Sequence, residues 1–262
     1  MGGMKVKCYH VDAFAEKLFE GNPAAVCVMD EWLPDALMQA VAIENNLSET
    51  AFTVREGEHW RLRWFTPGGE IDLCGHATLG TAFVLANYCE PDTARFVFDT
   101  LSGELAVTRR GDMYELDFPA YEMKSVPVTG AMEAAIGKPV KAAWMARDLV
   151  CELGSASDVI SAEVDQALVA QLDGLLLHIT AAGTDYDCVS RSFAPKLSVA
   201  EDPVCGSGHC HIAPIWCERL GRDTLRARQA SKRGGTLLCT VENGRCKLAG
   251  GAVLYSVAEL NI

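Results

Sequence analysis

No stretch of this 262-residue chain is apolar for long enough to span a bilayer, which excludes a transmembrane helix as an expectation. The opening Met1-Gly2-Gly3-Met4-Lys5-Val6 lacks the apolar core of a secretory leader, and position 6 lacks the Ser or Thr of a myristoylation signal. Basic residues are few: 23 Lys and Arg stand against 35 Asp and Glu, for a formal net charge of −12. Nucleic acid and anionic membrane surfaces demand a basic face, so neither is expected as a partner. Low-complexity linkers are missing too, so the parts of the chain should pack tightly. Nor is there a familiar zinc spacing. Cys205, His209, Cys210, His211 and Cys217 are clustered soft ligands, but no second ligand pair stands out, and no metal is expected.

What is present is an ordinary globular composition, 49% hydrophobic and 22% charged, long enough for one large domain or two small ones with real cores. Cysteine is abundant. Eleven residues, an odd number at irregular spacing, read as free thiols in a reduced, cytoplasmic protein.

Two stretches half a chain apart organise the sequence. Asp72-Leu73-Cys74-Gly75-His76-Ala77-Thr78 and Glu201-Asp202-Pro203-Val204-Cys205-Gly206-Ser207-Gly208-His209 each carry Cys-Gly, a polar residue, and then an apolar run of helical character. Phe65-Thr66-Pro67 precedes the first and Phe193-Ala194-Pro195 the second. This repetition predicts two similar halves, divided near Ala120 into residues 1–120 and 121–262, the last strand being able to pack back onto the first half. Helix starts offer free N–H groups and partial positive charge. They are therefore expected to hold a small carboxylate or sulfate near Gly75 and Gly206, and to lower the pKa of the thiols of Cys74 and Cys205.

In chain order, residues 6–11, 24–28, 47–54 and 60–65 read as strands, and residues 34–46 as a helix opened by Pro34 and ended at Asn45-Asn46. Residues 77–88 form an apolar helix. Residues 96–98, 105–107 and 114–118 are short strands split by turns, which suggests a curled antiparallel sheet. In the second half, residues 142–149 read as one strand and 164–172 as a helix. Residues 175–179 and 186–193 read as strands, and 212–220 as a helix with Pro214 in its first turns. Residues 237–241, 245–248 and 252–257 close the chain as strands.

These residues resemble a known family. Asp12-Ala13-Phe14, Gly21-Asn22-Pro23-Ala24-Ala25-Val26, Asn46-Leu47-Ser48-Glu49-Thr50-Ala51-Phe52, Cys74-Gly75-His76-Ala77-Thr78 and Glu201-Asp202-Pro203 with Gly206-Ser207 look like the PhzF (phenazine-biosynthesis-like) family, nearly throughout and in the expected order. The resemblance implies an α+β, diaminopimelate-epimerase-like fold: two pseudo-symmetric halves, each a curled, mostly antiparallel, barrel-like sheet around a central helix. It also implies proton-transfer isomerase chemistry on a small anionic metabolite, without cofactor or metal, in a homodimer. By the same resemblance Glu49 is the catalytic acid–base, and His76, Asp202 and Ser207 support it; Ser48, Gly75, Gly206 and Gly208 are the expected substrate-binding residues.

Cysteine at 74 and 205 departs from PhzF proper and looks like the paired thiols of proline racemase and diaminopimelate epimerase. Two thiols facing each other across a cleft could take and return a proton on opposite faces of one carbon. An amino-acid or hydroxy-acid epimerase using Cys74 and Cys205 is therefore the alternative enzyme. A Cys–His hydrolase has no recognisable nucleophile turn to support it. A non-catalytic small-acid binder is the alternative of another class.

Overall fold

The computed structural model describes residues 4–262; residues 1–3, part of the stretch read for a leader, lie outside the described residues. Contacts divide the chain into two compact units: residues up to Asp117 together with Ala249–Ile262, and Phe118–Leu248.

The first unit contains β1 (Lys5–Ala13), β2 (Asn22–Met29), α1 (Asp35–Asn45), β3 (Glu49–Glu56), β4 (His59–Thr66), β5 (Gly69–Ile71), α2 (Gly75–Tyr88), β6 (Arg95–Thr100), β7 (Gly103–Arg110) and β8 (Met113–Pro119). The β1–β2, β3–β4, β4–β5, β6–β7 and β7–β8 pairs are antiparallel; β2–β3 and β4–β6 are parallel. Apolar residues surround α2 rather than forming a stripe, as suits a helix enclosed on all sides. It packs against β1, β2, β3 and, from the other end of the sheet, β7, so the sheet curls around it. Burying Leu79, Val84 and Leu85 contributes about 1.5–3 kcal/mol each. The outer face of β1–β4 packs on α1 through Cys27, Met38, Val41, Phe52 and Phe65. Strand β2 is thus covered on both faces and reads as a continuous apolar run. Asn46 ends α1 in the left-handed conformation at φ 47°, which asparagine tolerates well.

The second unit contains β9 (Lys124–Val126), α3 (Gly130–Ile136), β10 (Val140–Met145), β11 (Leu149–Leu153), α4 (Ala156–Ser161), α5 (Gln166–Val169), β12 (Leu177–Ala182), β13 (Cys188–Ala194), β14 (Val199–Asp202), α6 (Gly206–Leu220), β15 (Thr224–Gln229), β16 (Gly235–Glu242) and β17 (Arg245–Gly250). Here β10–β11, β12–β13, β13–β14 and β15–β16 are antiparallel, while β11–β12 and β13–β15 are parallel. This succession of pairings is that of β1 to β7, so the duplication read from the Cys-Gly stretches is present in the topology. The last strand, β18 (Ala252–Asn261), pairs antiparallel with β1 and belongs to the first unit.

Three local expectations are corrected. Residues 142–149 are not one strand: β10 ends at Met145, and the charged pair Arg147-Asp148 makes the turn into β11. The 164–172 helix shrinks to the single turn α5, capped by Asp165. Pro214 lies in the middle of α6, not in its first turns, because the helix already starts at Gly206. A proline there cannot donate to the Cys210 carbonyl. The Tyr121 N–H takes that acceptor instead, at 3.1 Å.

Candidate functional site

In the first unit, three of the expected residues converge. Glu49 opens β3, Cys74 is the N-cap of α2 and His76 its second residue. His76 Nε2 and Glu49 Oε2 lie 3.0 Å apart, with the Glu49 side chain 15% exposed. The contact is ion-pair close but its angles fall outside a hydrogen bond, and neither atom has another hydrogen-bond partner. On the other ring edge, His76 Nδ1 is 3.5 Å from Cys74 Sγ. The imidazole thus connects a carboxylate to a thiol. Burial works against a charged His76, but its interactions with Cys74 and Glu49 outweigh it and raise its pKa well above the usual value. The Cys74 thiol is pushed up, by burial and by the Glu49 carboxylate. Gly75 is half-buried at the first helical position, and Ser48 is exposed just before Glu49. The α2 start carries no side-chain cap.

In the second unit, Asp202, Cys205, Gly206, Ser207 and Gly208 come together at the end of β14 and the start of α6. The buried Gln229 side chain clamps this loop, accepting from Cys205 N at 2.8 Å and donating to Asp202 O at 2.6 Å. Asp202 Oδ1 accepts from Val204 N at 3.1 Å. Cys205 Sγ accepts from Gly208 N at 3.3 Å and lies 3.6 Å from Ser207 Oγ. Burial and the Asp202 carboxylate push the Cys205 thiol well up. Helix starts were expected to lower the pKa of both thiols; desolvation in these enclosed positions overrides that effect.

The sequence reading missed the group behind Ser207. Arg147 donates from Nε to Asp148 Oδ1 at 2.9 Å and from Nη2 to Asp148 Oδ2 at 2.6 Å, and Nη2 reaches Ser207 Oγ at 3.1 Å. Asp148 is fully buried and also accepts from Leu176 N, with His178 Nε2 at 3.1 Å from Oδ2. Burial alone would raise the Asp148 carboxyl; hydrogen bonds from His178 and Arg147 overcome it and hold the group well below the usual carboxylate range. His178 Nδ1 meets Ser192 Oγ at 2.9 Å. His211 Nδ1 lies 2.8 Å from the Ser207 carbonyl, and Tyr121 stacks on its ring at 3.8 Å. Burial and the neighbouring His178 lower His211 to about 4. Two signals pointed to this group: a charged Arg-Asp pair interrupting an apolar run, and a histidine inside the Leu-Leu-Leu-His-Ile strand.

Gly208 is needed for this packing. A Cβ there would meet His178 Cε1 at 2.6 Å and Nδ1 at 2.9 Å. Gly208→Ala is expected to destabilise the chain by about 1–3 kcal/mol in urea unfolding, the usual cost of overpacking. An unchanged midpoint would show that the ring can move aside freely.

Among the described residues no metal-binding trio is made up of the five clustered soft ligands; His209 and His211 are fully buried. Among the described residues, three trios bring ligand-type atoms within 4.8 Å of one another: Glu49, Cys74, His76; Asp148, His178, His211; and the more exposed His59, Asp99, Glu104. In the second, the Arg147 guanidinium occupies both Asp148 oxygens and opposes a cation. In the first, His76 lies between the Glu49 carboxylate and the Cys74 thiol. No described helix is long and apolar enough to cross a membrane.

Comparisons with known proteins find relatives that match this chain over nearly its whole length. An uncharacterized isomerase of Pseudomonas aeruginosa is 45% identical over 99% of this chain and all of its own length, which supports an isomerase as the enzyme class. The crystal structure of a PhzF family phenazine biosynthesis protein from Enterococcus faecalis superposes with a TM-score of 0.97 at 48% identity, over 99% of this chain and 100% of that one. A hydroxyproline epimerase from Agrobacterium vitis shares only the fold, the diaminopimelate-epimerase-like one, at TM-score 0.60 and 11% identity over 98% of this chain and 92% of its own. With the phenazine biosynthesis-like family profile matching residues 11–258, the chain belongs to the PhzC-PhzF family.

Proposed function

We propose that this chain is a cofactor-independent isomerase that moves a proton on a small carboxylate-bearing substrate, with Glu49 as the acid–base group. The observation that carries this reading is the contact of Glu49 with His76 at 3.0 Å, beside the uncapped start of α2. A substrate C–H proton passes to a Glu49 oxygen and returns to carbon elsewhere on the same molecule. The reaction is redox-neutral and consumes no co-reactant. The raised pKa of His76 favours a proton on the ring next to the carboxylate, and free N–H groups at the helix start favour a substrate carboxylate.

The epimerase alternative has one supporting observation, the 3.5 Å contact of Cys74 Sγ with His76 Nδ1, through which a thiol proton could leave. The raised thiol pKa values weigh against it, since the thiolate is the competent base. The test is a panel of amino acids and cyclic hydroxy acids incubated with the protein in D₂O and followed by NMR. Solvent deuterium is expected in at least one of them. Tight binding of an acid without any exchange would instead identify a pure binder.

A further inference from the structure

A cavity of about 790 Å³ in the second unit lies beside the turn between β10 and β11. Its walls are mostly apolar, with Val126, Met132, Met145, Leu149 and Leu172 among them, and its one cation is Arg147. The guanidinium is held firmly. Two charge-assisted bonds fix it to the fully buried Asp148, a third contact runs to Ser207, and the ring of Tyr121 lies 5.4 Å from its central carbon. These contacts use Nε and Nη2 only. Nη1 donates to no described residue, and the side chain is 35% exposed. The turn itself is rigid. Leu175 N donates to Arg147 O, Leu149 N to Leu176 O, and Gly174, at φ +85°, packs so closely that a Cβ would sit 2.8 Å from Leu149 N.

An arginine with a bound carboxylate on one edge and idle donors on the other is preorganised for a second planar acid. We infer that this cavity is a binding subsite for a small carboxylate with an apolar body, the carboxylate on Nη1 of Arg147 and the body along the Val126–Met132–Leu172 wall. Asp173 is the only carboxylate on the wall; it is solvent-exposed, so water screens its charge. Because Arg147 also holds Ser207, occupancy of the subsite would reach the start of α6. This inference rests on the proposed isomerase function only in that link to turnover; the binding itself does not depend on it.

Titration calorimetry on the full chain tests it, with phenylacetate as probe and phenylacetamide, its uncharged counterpart, and sulfate as controls. Phenylacetate is expected to bind at millimolar concentration, and phenylacetamide about tenfold to a hundredfold more weakly, the usual worth of a charge-assisted hydrogen bond. Arg147→Lys keeps the charge but cannot serve Asp148, Ser207 and a ligand at once, so it should lose affinity by a similar factor. Ala131→Trp fills the cavity from an exposed helix position and should abolish phenylacetate binding without lowering the melting temperature. Equal binding of the amide, wild-type affinity in both variants, or no binding to the wild type would each overturn the subsite. Sulfate binding that survives Ala131→Trp while phenylacetate never binds would reduce it to a bare anion contact and overturn it as well. Glu49→Gln should bind phenylacetate normally. Arg147-dependent binding in a protein that exchanges no deuterium would therefore sink the isomerase reading and leave the subsite standing.

Discussion

Glu49→Gln is expected to lower solvent-deuterium uptake by about 10²–10⁴-fold, the usual contribution of a positioned acid–base group, with folding unchanged. The amide keeps the size and hydrogen-bonding capacity of the side chain but cannot take a proton. The side chain, 15% exposed at the first residue of β3, keeps its size in the amide, which replaces one polar group by another in the same place. Activity within a few-fold of wild type would remove Glu49 from the mechanism. Cys74→Ser and Cys205→Ser complete the comparison: two dead serine variants beside a live Glu49→Gln would make the protein a thiol epimerase instead. The pH profile adds a check. His76 is raised in the folded state, so the His76–Glu49 attraction is fully present below the ordinary histidine value of about 6.5 and fades only as pH climbs through the higher folded value. The alkaline fall in activity should accordingly begin above 6.5, and His76→Asn should remove it.

The duplication predicts two similar halves, and the strand registers show where that similarity stops. Thr50 pairs with Phe65 in the first unit, and Leu177 with Phe193 in the second. Matching the two phenylalanines puts Leu176 at the place of Glu49. The first unit has a carboxylate there and the second has none; its buried acid, Asp148, comes from the turn before the neighbouring strand. This asymmetry favours a single acid–base glutamate over a pair of equivalent groups.

Much of the fold was legible because its signals are local. The Pro34 start and Asn46 end of α1, the all-round apolar α2 and the turn-split strands of the first half need only neighbouring residues to be recognised. Both Cys-Gly stretches were placed correctly at helix starts, since small residues before an apolar run leave few alternatives. The misreadings had non-local causes. Arg147-Asp148 looked like part of a strand because the partners that make it a turn, Leu175 and Leu176, lie some 28 positions away. Pro214 seemed to need a helix start, whereas Tyr121, from far upstream, accepts the geometry by bonding the freed carbonyl. The thiol pKa values were misjudged because a helix start is visible in sequence and the burial that overrides it is not.

Asp148→Asn is expected to be the most destabilising conservative change in the second unit, by about 3–5 kcal/mol, the cost of breaking a buried ion pair. The carboxylate is fully buried and holds the Arg147 fork, the Leu176 N–H and His178. An amide oxygen replaces one acceptor, but its NH₂ then faces a guanidinium donor, and the cation loses its counter-charge. Asp148→Leu paired with Arg147→Met should recover part of the loss, since two apolar groups leave no charge unpaired. The pH dependence gives an independent signature. The Asp148 carboxyl titrates below its unfolded value of about 3.9, so its stabilisation is complete above that value and is lost as pH falls towards the folded one. Acid unfolding of Asp148→Asn should therefore have a shallower slope below about pH 4 than wild type, besides starting from a lower stability. A variant that unfolds at the wild-type urea midpoint with an unchanged acid slope would show that Arg147 and His178 are held by something other than this carboxylate.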